Sequence, residues 1–511
     1  MAGRGSTSEA ARERTARLLA QMAPVAAATA GSSGRRKTAA PPVTHTADVC
    51  IVGAGVLGAA LAAVLGRKGY TVVVLERDWS EPNRIVGELL QPGGLRVLRE
   101  LGLGEAVEGI DGQAIEGYGV FYGEEAVRLP YPPEAGEAPM GIAFHHGRFV
   151  MGLRKAAREA PGVTALAATV NRMWEDEEGT VLGVDYTSKD DGSKGRINAW
   201  LTIACDGFAS RARKLLTKTK PAKTSTFLAL ELEDVELPFP NSGHVILADP
   251  SPILCYPIGS REARMLIDIP NSVPGKEYGE YVRAMTEQMP PALRAGALAA
   301  LEKSPKLRTM PNSYLPAVPE RKLGAIALGD SFNMRHPLTG AGMTVALADG
   351  KLLVELLGEV DDLSDRKATA KKLKSFYTLR KEHASTANVL ANALYAVFAA
   401  RDNEYLPFMQ DACFEYFKLN RITRDGTMSL LGLLDTRPYV LVSHFFAVAA
   451  YAIVKTVLPL PYPTRIAQAF HILMSATRVI KPLLDNENVT ALALLPNSLL
   501  GIEASISDFM K

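Results

Sequence analysis

The stretch DVCIVGAGVLGAALAAVLGRKGYTVVVLERD, residues 48–78, decides the fold. A short apolar run ends at Val52 and gives way to Gly53, Gly55 and Gly58, then to a helical pattern carrying Leu57, Leu61, Val64 and Leu65. Gly69 stops that helix. A second apolar run, Thr71 to Leu75, delivers Glu76 about 20 residues beyond the glycines. Each part has a physical task. Gly53 permits a tight turn, Gly55 lets backbone N–H groups approach a pyrophosphate at the helix N-terminus, and Gly58 lets helix and strand pack closely. Glu76 is placed to accept ribose hydroxyls. Strand, glycines, helix, strand and acid, in this order, predict a Rossmann-like unit that binds a dinucleotide; the bland alternative is a βαβ unit without a ligand.

Two further strand ends extend the pattern. LTIACDG (201–207) closes on Asp206-Gly207, and AIALGD (325–330) closes on Gly329-Asp330. Alone, a strand ending in Asp-Gly is usually a turn. Glycine loop, Asp-Gly and Gly-Asp together resemble the FAD-binding group that includes the flavoprotein aromatic hydroxylases. In that resemblance Asp330 holds the ribityl chain and Asp206-Gly207 lies beside the cofactor groove. Pro337-Leu338-Thr339-Gly340-Ala341-Gly342-Met343 then opens a helix of good formers. Small residues let a flavin ring lie against this backbone, and the unpaired N–H donors of a helix start stabilise negative charge on its pyrimidine side.

Composition narrows the function classes. The 511 residues suggest two or three domains, and a formal net charge of +2 argues against a nucleic-acid partner. Cys50, Cys205, Cys255 and Cys413 form no C-x-x-C pair, so neither a disulfide framework nor a zinc site is expected. His145-His146 has no carboxylate or cysteine at ligand spacing and reads as packed or hydrogen-bonding; no metal is expected. No second G-x-G-x-x-G follows a strand. The expected fold is α/β (α+β). A disordered arm (1–46) precedes a Rossmann-like FAD-binding domain in two parts (47–220, with part of the substrate sheet near 115–145, and 311–360). An inserted mixed-sheet substrate domain (221–310) separates those parts, and a C-terminal helical, membrane-associated region (361–511) follows.

Four blocks carry a narrower resemblance. RIVGELLQPGG (84–94), AFHHGRFVMGLR (143–154), GDSFNMRHPLTGAGMTVALAD (329–349) and HFFAVAAYA (444–452) are similar to the squalene monooxygenase (squalene epoxidase) family, with matches from about residue 47 to 455. The resemblance implies a monotopic enzyme of the endoplasmic reticulum membrane, working in sterol biosynthesis. It epoxidises squalene to (S)-2,3-oxidosqualene with O2 through a C4a-hydroperoxyflavin, taking electrons from NADPH through a partner flavoprotein reductase. For FAD it implies Val56, Leu57, Glu76, Arg77, Arg84, Leu89, Arg154, Val170, Asp330 and Met343, beside Gly53, Gly55 and Gly58. For the catalytic pocket it implies Tyr118 and Gln91, with Tyr256, His444 and Phe445 on the substrate side; we expect a hydrogen bond with Gln91 to fix the orientation of Tyr118. Ala341 stands where the family commonly has glycine, and MSLLGLLDTRP (428–438) lacks the usual preceding Gly-Pro.

The C-terminal third fits a lipid substrate. Tyr439–Val454 is charge-free, VLPLPYP (457–463) breaks it, IAQAFHILMSAT (466–477) follows with Arg478 and Lys481 beyond, and Asn488–Ile502 is a third apolar piece. Each is shorter than the roughly 20 residues of a membrane span, so paired helices dipping into one leaflet of membrane lipid are expected. Buried core helices of a soluble domain are the alternative. Two rivals share the fold: a flavin-dependent prenyl-chain reductase, and a non-enzymatic prenyl- or lipid-binding protein.

Overall fold

A computed structural model describes residues 40–489, apart from 135, 304–306, 320, 321 and 459. Most of the expected arm, and the third apolar piece from residue 490 on, lie outside the described residues. The first strand begins inside the stretch expected to be the arm and runs Val43–Val52, because Val43 already pairs with Arg196 and Thr44 donates to the Arg196 carbonyl.

Val43–Val52 lies between Val72–Glu76 and Lys194–Ala204, all parallel, and Ala325–Ala327 pairs parallel on the far side of Lys194–Ala204. Val163–Glu175 begins parallel to Val72–Glu76, then leaves to form an antiparallel meander with Val181–Ser188 and the start of Lys194–Ala204. The parallel strands are near-continuous apolar runs, as strands covered on both faces must be; Val49, Ile51, Val74 and Ile203 are fully buried. Each such side chain contributes roughly 1.5–3 kcal/mol by leaving water. The helix Val56–Arg67 reaches the sheet closely because its inner face is alanine and glycine; a Cβ on Gly58 would sit 1.9 Å from the Gly53 carbonyl oxygen.

The second sheet has seven strands, in the order Arg308–Tyr314, Ala222–Glu233, Glu262–Pro270, Ile253–Pro257, Ser242–Ile246, Gly117–Tyr122, Glu125–Pro130. Its last two strands come from the expected 115–145 stretch and join through the parallel pairing of Gly117–Tyr122 with Ser242–Ile246. One face packs on the helices Tyr278–Thr286 and Pro291–Lys303; the other faces the cleft and the C-terminal helices.

From Arg366 the described chain is helical. The apolar stretch expected to stop at Val454 is part of a 20-residue helix, Pro438–Val457, long and apolar enough by length and composition to cross a membrane. The charge that ended the sequence reading, Lys455, sits in the last turn and pairs with Asp411. The next helix, Pro463–Asn486, packs back against it and contains Arg478 and Lys481 within its length, not beyond its end. Around the turn between them Leu458, Leu460, Tyr462, Ile466 and Phe470 are more than half exposed.

Candidate active site

A cleft of about 1190 Å³ runs between the two sheets, past the C-terminal ends of the parallel strands. Gly53 holds φ at +96°, and a Cβ there would lie 2.6 Å from the Cys205 carbonyl oxygen; beside Gly55 the space is open. No side chain caps the helix Val56–Arg67, so its first N–H groups, near Val56 and Leu57 in the cleft wall, are left for a ligand. Gly58 sits behind the turn and serves packing alone. Glu76 ties loop to strand: one carboxylate oxygen accepts the Ala54 N–H at 3.0 Å and the other the Asp78 N–H at 3.2 Å. Arg154 is a brace. Its Nε donates to the Ala54 carbonyl at 2.9 Å and Nη1 to the Ser80 carbonyl at 2.8 Å, and its guanidinium lies over Trp79. Arg77 and Arg84 are exposed at the cleft edge, Arg84 over the Phe208 ring, and Val170 lines the same end.

Asp330 presents its carboxylate to the cleft without a hydrogen-bond or ion-pair partner among the described residues. The helix expected from Pro337 starts later. Pro337–Thr339 forms a 3-10 turn, Gly340 turns left-handed at φ +63°, and the α-helix runs Gly342–Gly358 with no side-chain cap. Met343 and Leu89 line the cleft beside this helix start. The Ala341 methyl does not: it is buried against Ala384 and Ala387. His336 supports the turn from below, accepting the Leu338 N–H at 3.3 Å and stacking on Tyr395 at 3.6 Å.

Tyr118 crosses the sheet over Gly243, where a Cβ would meet its ring at 2.6 Å. Gln91 is fully buried and does not line the cleft where the family likeness put it. Its amide nitrogen donates to the Tyr118 hydroxyl at 2.8 Å and to the Thr339 carbonyl at 2.6 Å, while its oxygen accepts from the Tyr131 hydroxyl at 2.5 Å. A carbonyl only accepts, so Thr339 fixes which end of the amide is nitrogen. Tyr118 therefore receives a hydrogen bond from Gln91 and does not give its proton to it. Burial pushes the Tyr118 pKa up to about 12, so the phenol stays protonated.

Sequence reasoning missed three residues here. Tyr131 holds the far end of Gln91. Glu88, buried in the cleft floor, and Arg264, buried in the second sheet, meet through contacts of 2.9, 3.0 and 3.1 Å, and Tyr256 donates its hydroxyl to Glu88 at 3.2 Å. Burial opposes the charge on Arg264, but the Glu88 carboxylate outweighs it and holds the pKa above its ordinary value. No local pattern marks these residues. His444 and Phe445 lie elsewhere, around an apolar cavity of about 100 Å³ behind Tyr118 and Leu338, under the C-terminal helices. His444 Nδ1 is 2.8 Å from the Tyr416 hydroxyl. His146 donates Nδ1–H to the Gly87 carbonyl at 2.8 Å, and His145 lies 3.9 Å from Glu262.

A glycine loop without side chains, an uncapped helix start at each end of the cleft and an unpartnered Asp330 between them fit FAD. Solved structures share this architecture. A flavin-dependent brominase, Bmp2, superposes with a TM-score of 0.63 at 18% identity, covering 79% of this chain and 99% of that one. PqsL from Pseudomonas aeruginosa, described as a probable FAD-dependent monooxygenase, gives 0.56 at 22% identity, covering 69% and 97%. Fold and cleft thus define a flavoprotein of the FAD-binding Rossmann type. The family model for squalene epoxidase matches residues 198–469. "Squalene epoxidase 3" of Arabidopsis thaliana is 46% identical over 448 residues, 86% of this chain and 85% of its own. "Squalene monooxygenase" of Mus musculus is 44% identical over 86% of this chain and 78% of its own. The chain belongs to the squalene epoxidase family.

Proposed function

We propose that this protein epoxidises squalene to (S)-2,3-oxidosqualene in sterol biosynthesis, at the endoplasmic reticulum membrane. Its electrons come from NADPH through a partner flavoprotein reductase. Bound FAD supplies the activation of O2, one oxygen atom entering the alkene and the other leaving as water. The observation that carries the reading is the position of Tyr118, which lines both the cofactor cleft and the apolar cavity behind it.

The chain's own residues bind, orient and exclude water. The glycine loop and the start of Val56–Arg67 would hold the pyrophosphate, Glu76 a ribose, Asp330 the ribityl chain, and Arg77 and Arg84 the anionic flank. The uncapped start of Gly342–Gly358 would hold the flavin end of the cofactor, where its N–H groups would favour negative charge. Tyr118, fixed by Gln91, keeps its proton and its ring at the wall between the two spaces. Val245, Leu338, Phe445 and Val448 line the cavity for the alkene end of the substrate and keep the reacting atoms dry. At about 100 Å³ the cavity admits only one end of a long prenyl chain, so the helices part on binding. The exposed apolar turn after Val457 enters membrane lipid, where the substrate dissolves.

Detergent-purified protein with FAD, NADPH, a flavoprotein reductase and squalene tests this. An air-dependent mass gain of one oxygen is expected. Bound flavin with a saturated product and no oxygen uptake would replace the reading by prenyl-chain reduction, and protein without flavin would replace it by lipid binding.

A further inference from the structure

From Gly207 to Leu230 the chain carries Arg211, Arg213, Lys214, Lys218, Lys220 and Lys223 and no acidic residue. Arg213 is buried and donates to the Phe208 carbonyl. The other five are exposed, and none forms an ion pair with a described residue. Elsewhere surface cations are commonly paired, as in Lys303–Glu233, Lys322–Glu175, Lys351–Glu100, Lys418–Glu125 and Lys455–Asp411. Among the unpaired cations stand two exposed apolar side chains, Phe208 at 42% and Leu215 at 38%. Phe208, Arg211, Lys214 and Leu215 border the cofactor cleft, and Lys218, Lys220 and Lys223 continue outward from it.

The position of this rim selects its partner. Ala222 pairs with Tyr314, whose hydroxyl accepts from Asn486 at 3.0 Å. Asn486 ends the 24-residue helix that starts at the exposed apolar turn, so about 36 Å of helix separates the rim from that turn. With that helix standing off a lipid surface at the turn, the rim lies far beyond the roughly 8 Å over which salt water transmits charge. The rim faces water.

We propose that this basic rim is the docking surface for the electron-donating reductase, through an acidic patch beside the donor's own redox group. This rests on the reading above that a separate flavoprotein supplies the electrons. Five unpaired cations steer an acidic partner in, and Phe208 and Leu215 give it a small dry contact, the pattern of a weak electron-transfer encounter. Docked at the cleft mouth, the reduced donor gives up two electrons and is oxidised, the FAD of this chain is reduced, and the accompanying protons come from water.

The test is Lys218→Glu/Lys220→Glu/Lys223→Glu, three residues outside the cleft wall. The reductase concentration for half-maximal turnover is measured at low and high salt, with direct binding of the reductase to the immobilised protein. About a tenfold rise for the variant at low salt, shrinking as salt is added, is expected from rim charge reversal. FAD content, and single-turnover epoxidation after chemical reduction, should match the wild type. Equal half-saturation for wild type and variant at low salt overturns the docking site. Binding to phosphatidylserine vesicles that the variant loses, with reductase binding intact, overturns it in favour of a lipid headgroup surface. Full turnover of the wild type on NADPH alone overturns the separate-donor reading, and is seen before any variant is made.

Discussion

Glu88→Gln is the sharpest test of how the cleft floor is held to the second sheet. Glu88 leads into the cleft floor and Arg264 lies on the second sheet, and their side chains are 1% and 4% exposed, so solvent does not screen the pair. Three contacts at 2.9–3.1 Å join them. Removing one partner of a buried pair leaves an uncompensated charge and costs about 3–5 kcal/mol. Glu231, 3.3 Å from the same guanidinium but 45% exposed, offers partial relief and moves the expectation to the low end, about 3 kcal/mol. Urea unfolding followed by far-ultraviolet circular dichroism reads the loss at pH 7. Glu88→Gln combined with Arg264→Met removes both charges and should recover most of it, because replacing a whole buried pair is often nearly neutral. A single variant within about 1 kcal/mol of wild type, or a double variant no better than the single, would show that the pair does not hold the cleft floor to the second sheet.

Three other outcomes follow from the geometry. Tyr131→Phe releases the Gln91 oxygen and should lower epoxidation about tenfold with FAD content unchanged, while Tyr118→Ala should abolish it; unchanged turnover in either case would contradict the linkage of Tyr131, Gln91 and Tyr118. Burial pushes His146 and His244 down to about 4, below the ordinary 6.5, so between those values the unfolded chain takes up protons that the folded chain refuses. Stability should therefore fall as pH drops, by about 2 kcal/mol per histidine between pH 6.5 and 5, and a flat urea midpoint over that window would refute it. Ile466→Asp/Phe470→Asp, at positions 54% and 60% exposed, should weaken co-sedimentation with vesicles at least tenfold without loss of FAD; unaltered sedimentation would place the membrane contact elsewhere.

The nucleotide-binding unit was legible because its signals are local: glycines at turn positions, a 3.6-residue period, an acid at a strand end. Asp330 was legible for the same reason. Family likeness singled out Tyr118 and Gln91 and a bond between them was expected; the structure adds that Gln91 is buried and donates to Tyr118 from outside the cleft. Tyr131, Glu88 and Arg264 were invisible because each finds its partner 40 or more residues away, through sheet pairings that no short pattern encodes. The helix boundaries failed where one residue mattered. Gly340 delays the helix after Pro337 by turning left-handed, and Lys455 was taken as an end although a last-turn cation suits a helix C-terminus.

Under the membrane reading proposed above, the exposed apolar turn between the last two described helices also sets the units in which this enzyme is to be measured. A protein held at a surface meets a substrate dissolved in that surface, so its collision rate follows the mole fraction of squalene in the lipid, whatever the volume of buffer around it. Adding inert lipid at constant squalene then slows turnover by surface dilution. An apparent KM quoted in molar terms would change with the amount of membrane in the tube, whereas one quoted in mole per cent would not.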